Sequence, residues 1–496
     1  MPSIKASIFV APLLAALACT GSASQPSGAG GATAKGGAGG GQTGAAGQTG
    51  SAGTAGRAGT LGASGTSGGA IGSGAAGATG VAGQAGIGGA SGTNGTGGTN
   101  GVAGSVGAAG TTGGAGGGVA GRGGSSGVAG GTGGTGAGGT GAQALSGFVC
   151  GAVGGKTAQQ LFTEWYGQWF TDHYVTCGTD MARVKGCTGP NNTCSEAIGY
   201  GLLLTVAAGD QSAFDRLNRF RKALGTEYNK AFSSGGLMAW SSGDTCPPTA
   251  GGGNANNAPD GDLDSAMALI QAGKRWPTGS YKTEATALID AIWTKNVGTT
   301  GGKLYLGAGT SNLTDKSYAS YWALGYFQVF ARYLTDASKQ QNWRNLATRG
   351  YEILKAAQSD ARCAGEFPES VKIDGTIWDG DPCDFGYDSC RVPWRLAADY
   401  AWFGTADSKT MLDLVRTGVV KGDPAAAARQ TNSAFVGGLA LSAVSSDQAT
   451  MTDYCTKWVN AKTAGGAYDD NPYFQKTLAV IYMLVAAGLF DRVVAP

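Results

Sequence analysis

The sequence predicts an all-α fold, a toroid of about twelve helices behind a disordered glycine-rich stalk, on three observations. Apolar residues recur with helical period through residues 156–488, and period-2 alternation is scarce. Several of these segments are apolar on every side, while their neighbours carry charged faces. Ahead of them, 53 of the 92 glycines fall between 21 and 150, a stretch with no Asp or Glu and with Phe148 as its only aromatic.

Taken in chain order, residues 1–20 come first. Lys5, the run "IFVAPLLAALA" and Cys19 read as an export signal, too short to anchor stably across a bilayer. Cysteine directly after "ALA" resembles a bacterial lipoprotein cleavage site, although Ala16 stands where leucine is usual; ordinary cleavage near "GSAS" is the alternative. The expected location is outside a bacterial cell, secreted or held at the surface by lipid on Cys19. Residues 21–147 form the stalk. Glycine recurs every third residue over 41–68, 74–116 and 121–139, as a collagen helix needs, but no proline follows Pro26 to pre-set that helix. A flexible tether is expected instead, able to hold its cargo roughly 60 Å from an anchor.

Residues 148–496 hold all eleven tryptophans and all seventeen tyrosines, and they are read as one folded domain. Helical segments are expected near 156–174, 195–208, 211–226, 262–276, 281–295, 318–334, 342–358, 391–403, 407–420, 432–445, 448–462 and 471–488. "AIGYGLLLTVAAG", "SAMALIQAG", "SAFVGGLALSAV" and "LAVIYMLVAAG" are all-apolar and belong to an inner ring; "QSAFDRLNRFRKAL" and "NWRNLATRGYEILKAA" carry charged faces and belong outside.

Charge and rare residues narrow the function. Without Lys5, Lys35, Arg57 and Arg122, 31 basic residues face 33 acidic ones, a net −2 with no basic stripe, which argues against nucleic acid as a partner. His173 is the only histidine, so multi-histidine metal sites are excluded and a Ser-His-Asp site would have to use it. Nine cysteines follow Cys19, at 150, 177, 187, 194, 246, 363, 383, 390 and 455; in an exported chain they predict disulfides with at least one left over. No C-x-x-C spacing occurs to suggest zinc. No cofactor is expected, and the domain is expected to be a monomer.

Three carboxylates stand at the starts of expected inner helices: Glu196 in "CSEAIGYGLLL", Asp260 in "APDGDLDSAMAL" and Asp388 in "FGYDSCRVPWR". If those helices run the same way, their N-termini share one face of the toroid. Two carboxyl groups astride a glycosidic bond are the minimal apparatus for its hydrolysis. A helix N-terminus lowers a carboxyl pKa, so the acid of the pair needs burial or a like-charged neighbour. Trp240, Trp322, Tyr326, Trp378, Tyr387, Trp394 and Tyr473 lie in loops or at helix ends, where flat rings can stack on sugars; about half of such rings are expected to be core packing.

"SEAIGYG", "GLMAW", "APDGDLDSAMALIQAGKRW", "YDSCRVPWR" and "SAFVGG", in this order, resemble glycoside hydrolase family 8 over about residues 155–490. The resemblance implies an (α/α)6 barrel and an endo-acting, inverting hydrolase of β-1,4-linked glucan, with chitosanase or xylanase activity, or a non-catalytic glycan-binding surface protein, as alternatives. A polysaccharide lyase, which generally needs a basic cleft, is disfavoured by the charge. By position, Glu196 matches the general acid, Asp388 the base that activates water, and Arg391 the arginine that orients the base. Asp260 matches the residue read either as nucleophile or as the group that grips the sugar; it is expected in the cleft, with Asp262 and Asp264 capping and supporting their helix. Trp240, Tyr326, Tyr387, Arg391 and Tyr473 are the expected substrate-binding residues. This chain departs from the family in Ala197 and Pro259, in "PES" at 368–370 where P-D-W is usual, and in Tyr318–Ala319 in place of N-P.

Overall fold

The computed structural model describes residues 146–232, 235–249, 256–310, 316–381, 383–463 and 472–491. The export signal, Cys19 and the stalk up to residue 145 lie outside the described residues.

Six helical hairpins follow one another: α1 (Ala158–His173) with α2 (Ser195–Ala208), α3 (Gln211–Phe232) with α4 (Pro259–Arg275), and α5 (Tyr281–Asn296) with α6 (Leu324–Tyr333). Then come α7 (Ala337–Gln358) with α8 (Val392–Phe403), and α9 (Ala406–Leu414), a one-turn α10 (Pro424–Ala427) and α11 (Ser433–Ala440). The last pair is α12 (Gln448–Thr463) with α13 (Pro472–Ala486). The inner ring is α2, α4, α6, α8, α11 and α13, helices buried along almost their whole length. The sequences of α2 and α11 are apolar or small nearly all round, so these helices are stable only where others surround them, while α4, α6 and α8 add buried polar groups that pair with one another, such as Asp264 with Arg395 and Gln328 with Asp399. The amphipathic members form the outer ring. Local chemistry sets the boundaries: Thr157 and Gln160 cap α1 reciprocally, and Gly209 and Gly404 end α2 and α8 with φ of 81° and 63°, a conformation open to glycine without strain.

All twelve expected helical segments are present, with shifted ends. The segment expected at 318–334 becomes helical only at Leu324, because Lys316–Tyr318 pairs antiparallel with Ser370–Lys372 and Ala319–Tyr321 forms a 3-10 turn. Three more two-stranded ribbons that period-2 reading missed join Tyr174–Cys177 to Met181–Val184, Thr193–Cys194 to Ser241–Ser242, and Val297–Thr300 to Lys303–Leu306. They are too short to show alternation.

The two ends of the barrel differ. Entering residues 146–150 run across the C-terminal end of the inner ring: Ser146 N–H donates to Ala401, Phe148 to Val444 and Cys150 to Ala486, at 2.9, 3.0 and 2.7 Å. Ribbons and long loops gather at the opposite end. Among the described residues four disulfides form, Cys150–Cys455, Cys177–Cys246, Cys187–Cys194 and Cys363–Cys383, leaving Cys390 as the buried free thiol. The odd cysteine is thus a core residue.

Candidate active site

Backbone contact between two helix starts builds the site. On α2, Gly199 faces α4 so closely that a Cβ there would lie 2.7 Å from the Gly261 carbonyl oxygen and 2.9 Å from Asp264 Cβ. Gly261 in turn lies against the backbone of Ser195 and Glu196. Two glycines thus let α2 and α4 meet main chain to main chain, which brings Glu196 and Asp260, both in first turns, side by side. Ser195 N–H donates to Trp240 O at 2.9 Å, and Trp240 N–H to Asn256 O at 2.9 Å, so the turn that carries Glu196 is tied to an exposed tryptophan.

Arg391, at the start of α8, joins three carboxylates. Its Nη1 donates to Glu196 Oε2 at 2.6 Å, to Asp260 Oδ2 at 2.9 Å and to Tyr200 OH at 3.3 Å, while Nη2 donates to Asp388 Oδ1. The expected convergence of the three helix starts is therefore what the structure has. Exposure is graded: the side chain of Asp388 is 25% exposed, that of Glu196 16% and that of Asp260 4%. Asp388 is the carboxylate that water reaches most easily.

One guanidinium cannot balance three carboxylates. Burial pushes Glu196 up to about 7, against the pull of Arg391 and with the charges of Asp260 and Asp388 adding to the rise. A group protonated near neutrality suits a general acid. Burial also raises Asp260, again opposed by Arg391. Arg391 itself is buried, which disfavours its charge, but Tyr200 and the three carboxylates outweigh that and hold it protonated. Tyr473, at the start of α13, donates its OH to Glu196 Oε1 at 3.2 Å.

The remaining expected residues separate into two groups. Trp240 and Tyr387 are exposed, 37% and 44%, one bonded through its backbone to the turn of Glu196 and one directly preceding Asp388. Tyr326 is corrected: it lies in the core below the site, its OH donating to Asp264 Oδ1 at 2.9 Å and its ring stacked on Trp402. It sits inside the inner helix α6, whose interior faces are all covered. Trp322 and Trp394 are likewise core. Asp262 and Asp264 are corrected as well, since α4 begins without a side-chain cap. Asp262 accepts Met238 N–H at 3.1 Å and Asn257 Nδ2 at 3.2 Å; Asp264 pairs with both Nη atoms of Arg395 at 2.6 and 2.9 Å. Of the three crowded aspartates, one serves the site, one pins a loop and one braces the barrel axis. His173 is buried at the end of α1, its Nδ1 3.2 Å from Lys185 O and its ring edge-on to Tyr473. Cys187, Cys194 and Glu196 cluster closely, but the two cysteines are joined in a disulfide and have no thiolate for a metal.

Three residues of the site were given no role in the sequence reading, although Glu369 lies in the "PES" that departs from the family pattern. Tyr200 is four residues after Glu196, hence on the same helix face, a signal that was available. Tyr321 is buried beside the site, its hydroxyl raised by burial and by the charges of Asp260 and Asp388. Glu369 accepts Asp388 N–H at 2.7 Å from a loop with no periodic signal.

The family model described as glycosyl hydrolases family 8 matches residues 145–488. Among curated relatives, the chain is 36% identical over 260 residues to Endoglucanase C of Ruminiclostridium cellulolyticum, covering 51% of this chain and 53% of that protein. It is 30% identical over 355 residues to Endoglucanase 2 of Ruminiclostridium josui, covering 68% of this chain and 73% of the relative. The alignment thus spans only about half the length of the first of these relatives. Among solved structures, an apo β-1,3-1,4-glucanase from Paenibacillus sp. X4 superposes with a TM-score of 0.58 at 23% identity, over 69% of this chain and 95% of that one. At that identity the likeness speaks for the fold.

Proposed function

The chain belongs to glycosyl hydrolases family 8, and on that premise we propose that it is an endo-acting enzyme that cleaves β-1,4-linked glucan, cellulose-type or mixed-linkage, with inversion. The observation that carries this reading is the convergence of Glu196, Asp260 and Asp388 on Arg391 at the loop-rich end of the barrel.

In this reading Glu196, kept protonated by burial, gives its proton to the leaving glycosidic oxygen as the bond to the anomeric carbon breaks. A water on the opposite face of the sugar forms the new bond and passes its proton to Asp388, the most water-accessible of the three. Arg391 holds the base by one nitrogen and the floor carboxylate Asp260 by the other. Asp260, almost fully buried and bonded to Arg391, grips and distorts the sugar at the cleavage point. Trp240 at the acid's end and Tyr387 at the base's end offer exposed rings on either side of that point. The endoglucanase names of the relatives support glucan over xylan or chitosan. Tyr473 contributes by its bond to the acid.

We also propose that residues 148–496 are the catalytic domain, that 21–147 tether it, and that lipid on Cys19 holds it at the cell surface. Four disulfides support export to an oxidising compartment.

Proton NMR of the first product tests the mechanism. A β-linked glucan is expected to yield the α-anomer before mutarotation. A β-anomer appearing first means retention and transfers the nucleophile's role to a carboxylate, Asp260 foremost. Reducing-sugar assays on cellulose, mixed-linkage glucan, chitosan and xylan test the substrate.

A further inference from the structure

We propose that Glu369 is a positioning residue for the base: it clamps the turn that presents Asp388 from below, so that the carboxylate meets its water in one orientation. The proposal rests on the reading of Asp388 as general base. Glu369 Oε2 accepts the Asp388 N–H at 2.7 Å, and Oε1 accepts the Ser389 hydroxyl at 3.1 Å and its N–H at 3.5 Å. Both oxygens are therefore engaged by the first residues of the turn that leads into α8. Asp388 is held from the other side by Arg391, so the base sits between a guanidinium on its side chain and a carboxyl group under its backbone.

Glu369 is itself firmly placed. Its carbonyl accepts Ala319 N–H at 3.1 Å, and it directly precedes the strand Ser370–Lys372, which pairs with Lys316–Tyr318. The loop makes room for it: a Cβ at Gly386 would collide with the Glu369 carboxylate, so a side chain two residues before the base would have to displace the clamp. Burial, then the neighbouring charge of Asp388, pushes Glu369 up to about 7, so the clamp is neutral through the acidic range and adds little repulsion to the base. This gives a loop glutamate outside the Arg391 constellation a defined task.

The test uses the full chain carrying Glu369→Ala, Glu369→Gln or Glu369→Asp, assayed beside wild type and Asp388→Asn on soluble mixed-linkage β-glucan. Cello-oligosaccharide binding is followed by tryptophan fluorescence and folding by thermal melts. A shift of the base of about 1 Å is enough to lower turnover roughly 10²-fold, so Glu369→Ala is expected to lose about that much kcat with oligosaccharide Kd and Tm nearly unchanged. Glu369→Gln keeps an oxygen for the Asp388 N–H and is expected to recover most of kcat. If alanine unfolds the loop, Glu369→Asp decides, because it keeps the carboxyl group but draws the oxygens back, and kcat again falls at constant Kd. Wild-type kcat in Glu369→Ala, or a Kd that worsens in step with kcat, overturns the proposal. If wild type turns over and Asp388→Asn does not, such a result sinks the clamp alone. If wild type hydrolyses none of the four polymers, the glycosidase reading fails and the clamp with it.

Discussion

Two arginines one helical turn apart near the start of α8 do opposite work. Arg391, at the open end, serves Glu196, Asp260 and Asp388 together. Arg395, four residues on, meets Asp264 alone, with Trp394 at 3.9 Å and Tyr326 at 5.0 Å over its guanidinium. The deeper layer is balanced one to one and sealed by aromatic rings, which makes it a strut. The upper layer is short of positive charge by two, and a buried site relieves such a deficit by holding on to protons. A proton-holding site and a barrel's brace are thus made from the same residue types, and stoichiometry and burial decide which is which.

That contrast breaks if catalysis and stability do not separate between the layers. The largest expected effect is on turnover. Glu196→Gln and Asp388→Asn should each lower kcat by about 10²–10⁴-fold, the usual worth of a general acid or base, without lowering Tm, since each relieves a crowded layer. Reducing-sugar assays and melts check both; a variant that is active but unstable would reverse the assignment of layers. Next is Arg395→Met, which strands the buried Asp264 charge. It should cost about 3–5 kcal/mol in denaturant unfolding while the folded fraction keeps its kcat.

A pH comparison sharpens the picture further. Glu196 is raised from an ordinary 4.5 to about 7 in the folded protein. Its stability contribution is then fully present below about pH 4.5 and lost as pH rises through about 7. Activity should fall over that same upper range as the acid loses its proton. Glu196→Gln should therefore raise Tm more at pH 8 than at pH 5, and Asp262 and Glu369, also raised to about 7, should leave a residual slope. Equal gains at both pH values would mean that Glu196 is not the proton-holding group. The smallest effect is Tyr326→Phe, which removes one bond to Asp264. It should cost about 1.5–3 kcal/mol, the worth of a hydrogen bond to a charged group, and leave KM on glucan unchanged, since the ring is buried in the core.

Reading the sequence succeeded where chemistry and period coincide. All-apolar helices declared the inner ring, and carboxylates at three helix starts declared the face on which they would meet. It failed where the deciding fact is depth. Asp260 and Asp264 look alike in "DGDLD", and only the position along the barrel axis separates a floor carboxylate from the partner of Arg395. Tyr326 does stand in the first turn of its helix, as an aromatic at a helix end, but that turn is buried, which its sequence context does not show. Glu369 had no periodic context at all. Its partner is a backbone N–H, which no residue letter announces.

The segment that enters the domain has a mechanical consequence. Residues 146–150 are bonded to Ala401, Val444 and Ala486 beneath three inner helices, and Cys150 is joined covalently to Cys455 on α12. Any pull arriving along the chain is therefore shared by the closed end of the barrel and stopped at a covalent bond before it can peel α1 away. The helix starts that carry Glu196, Asp260 and Asp388 lie at the other end, outside the path of that load. A domain dragged by its N-terminus over a solid polymer would keep its cutting edge in shape.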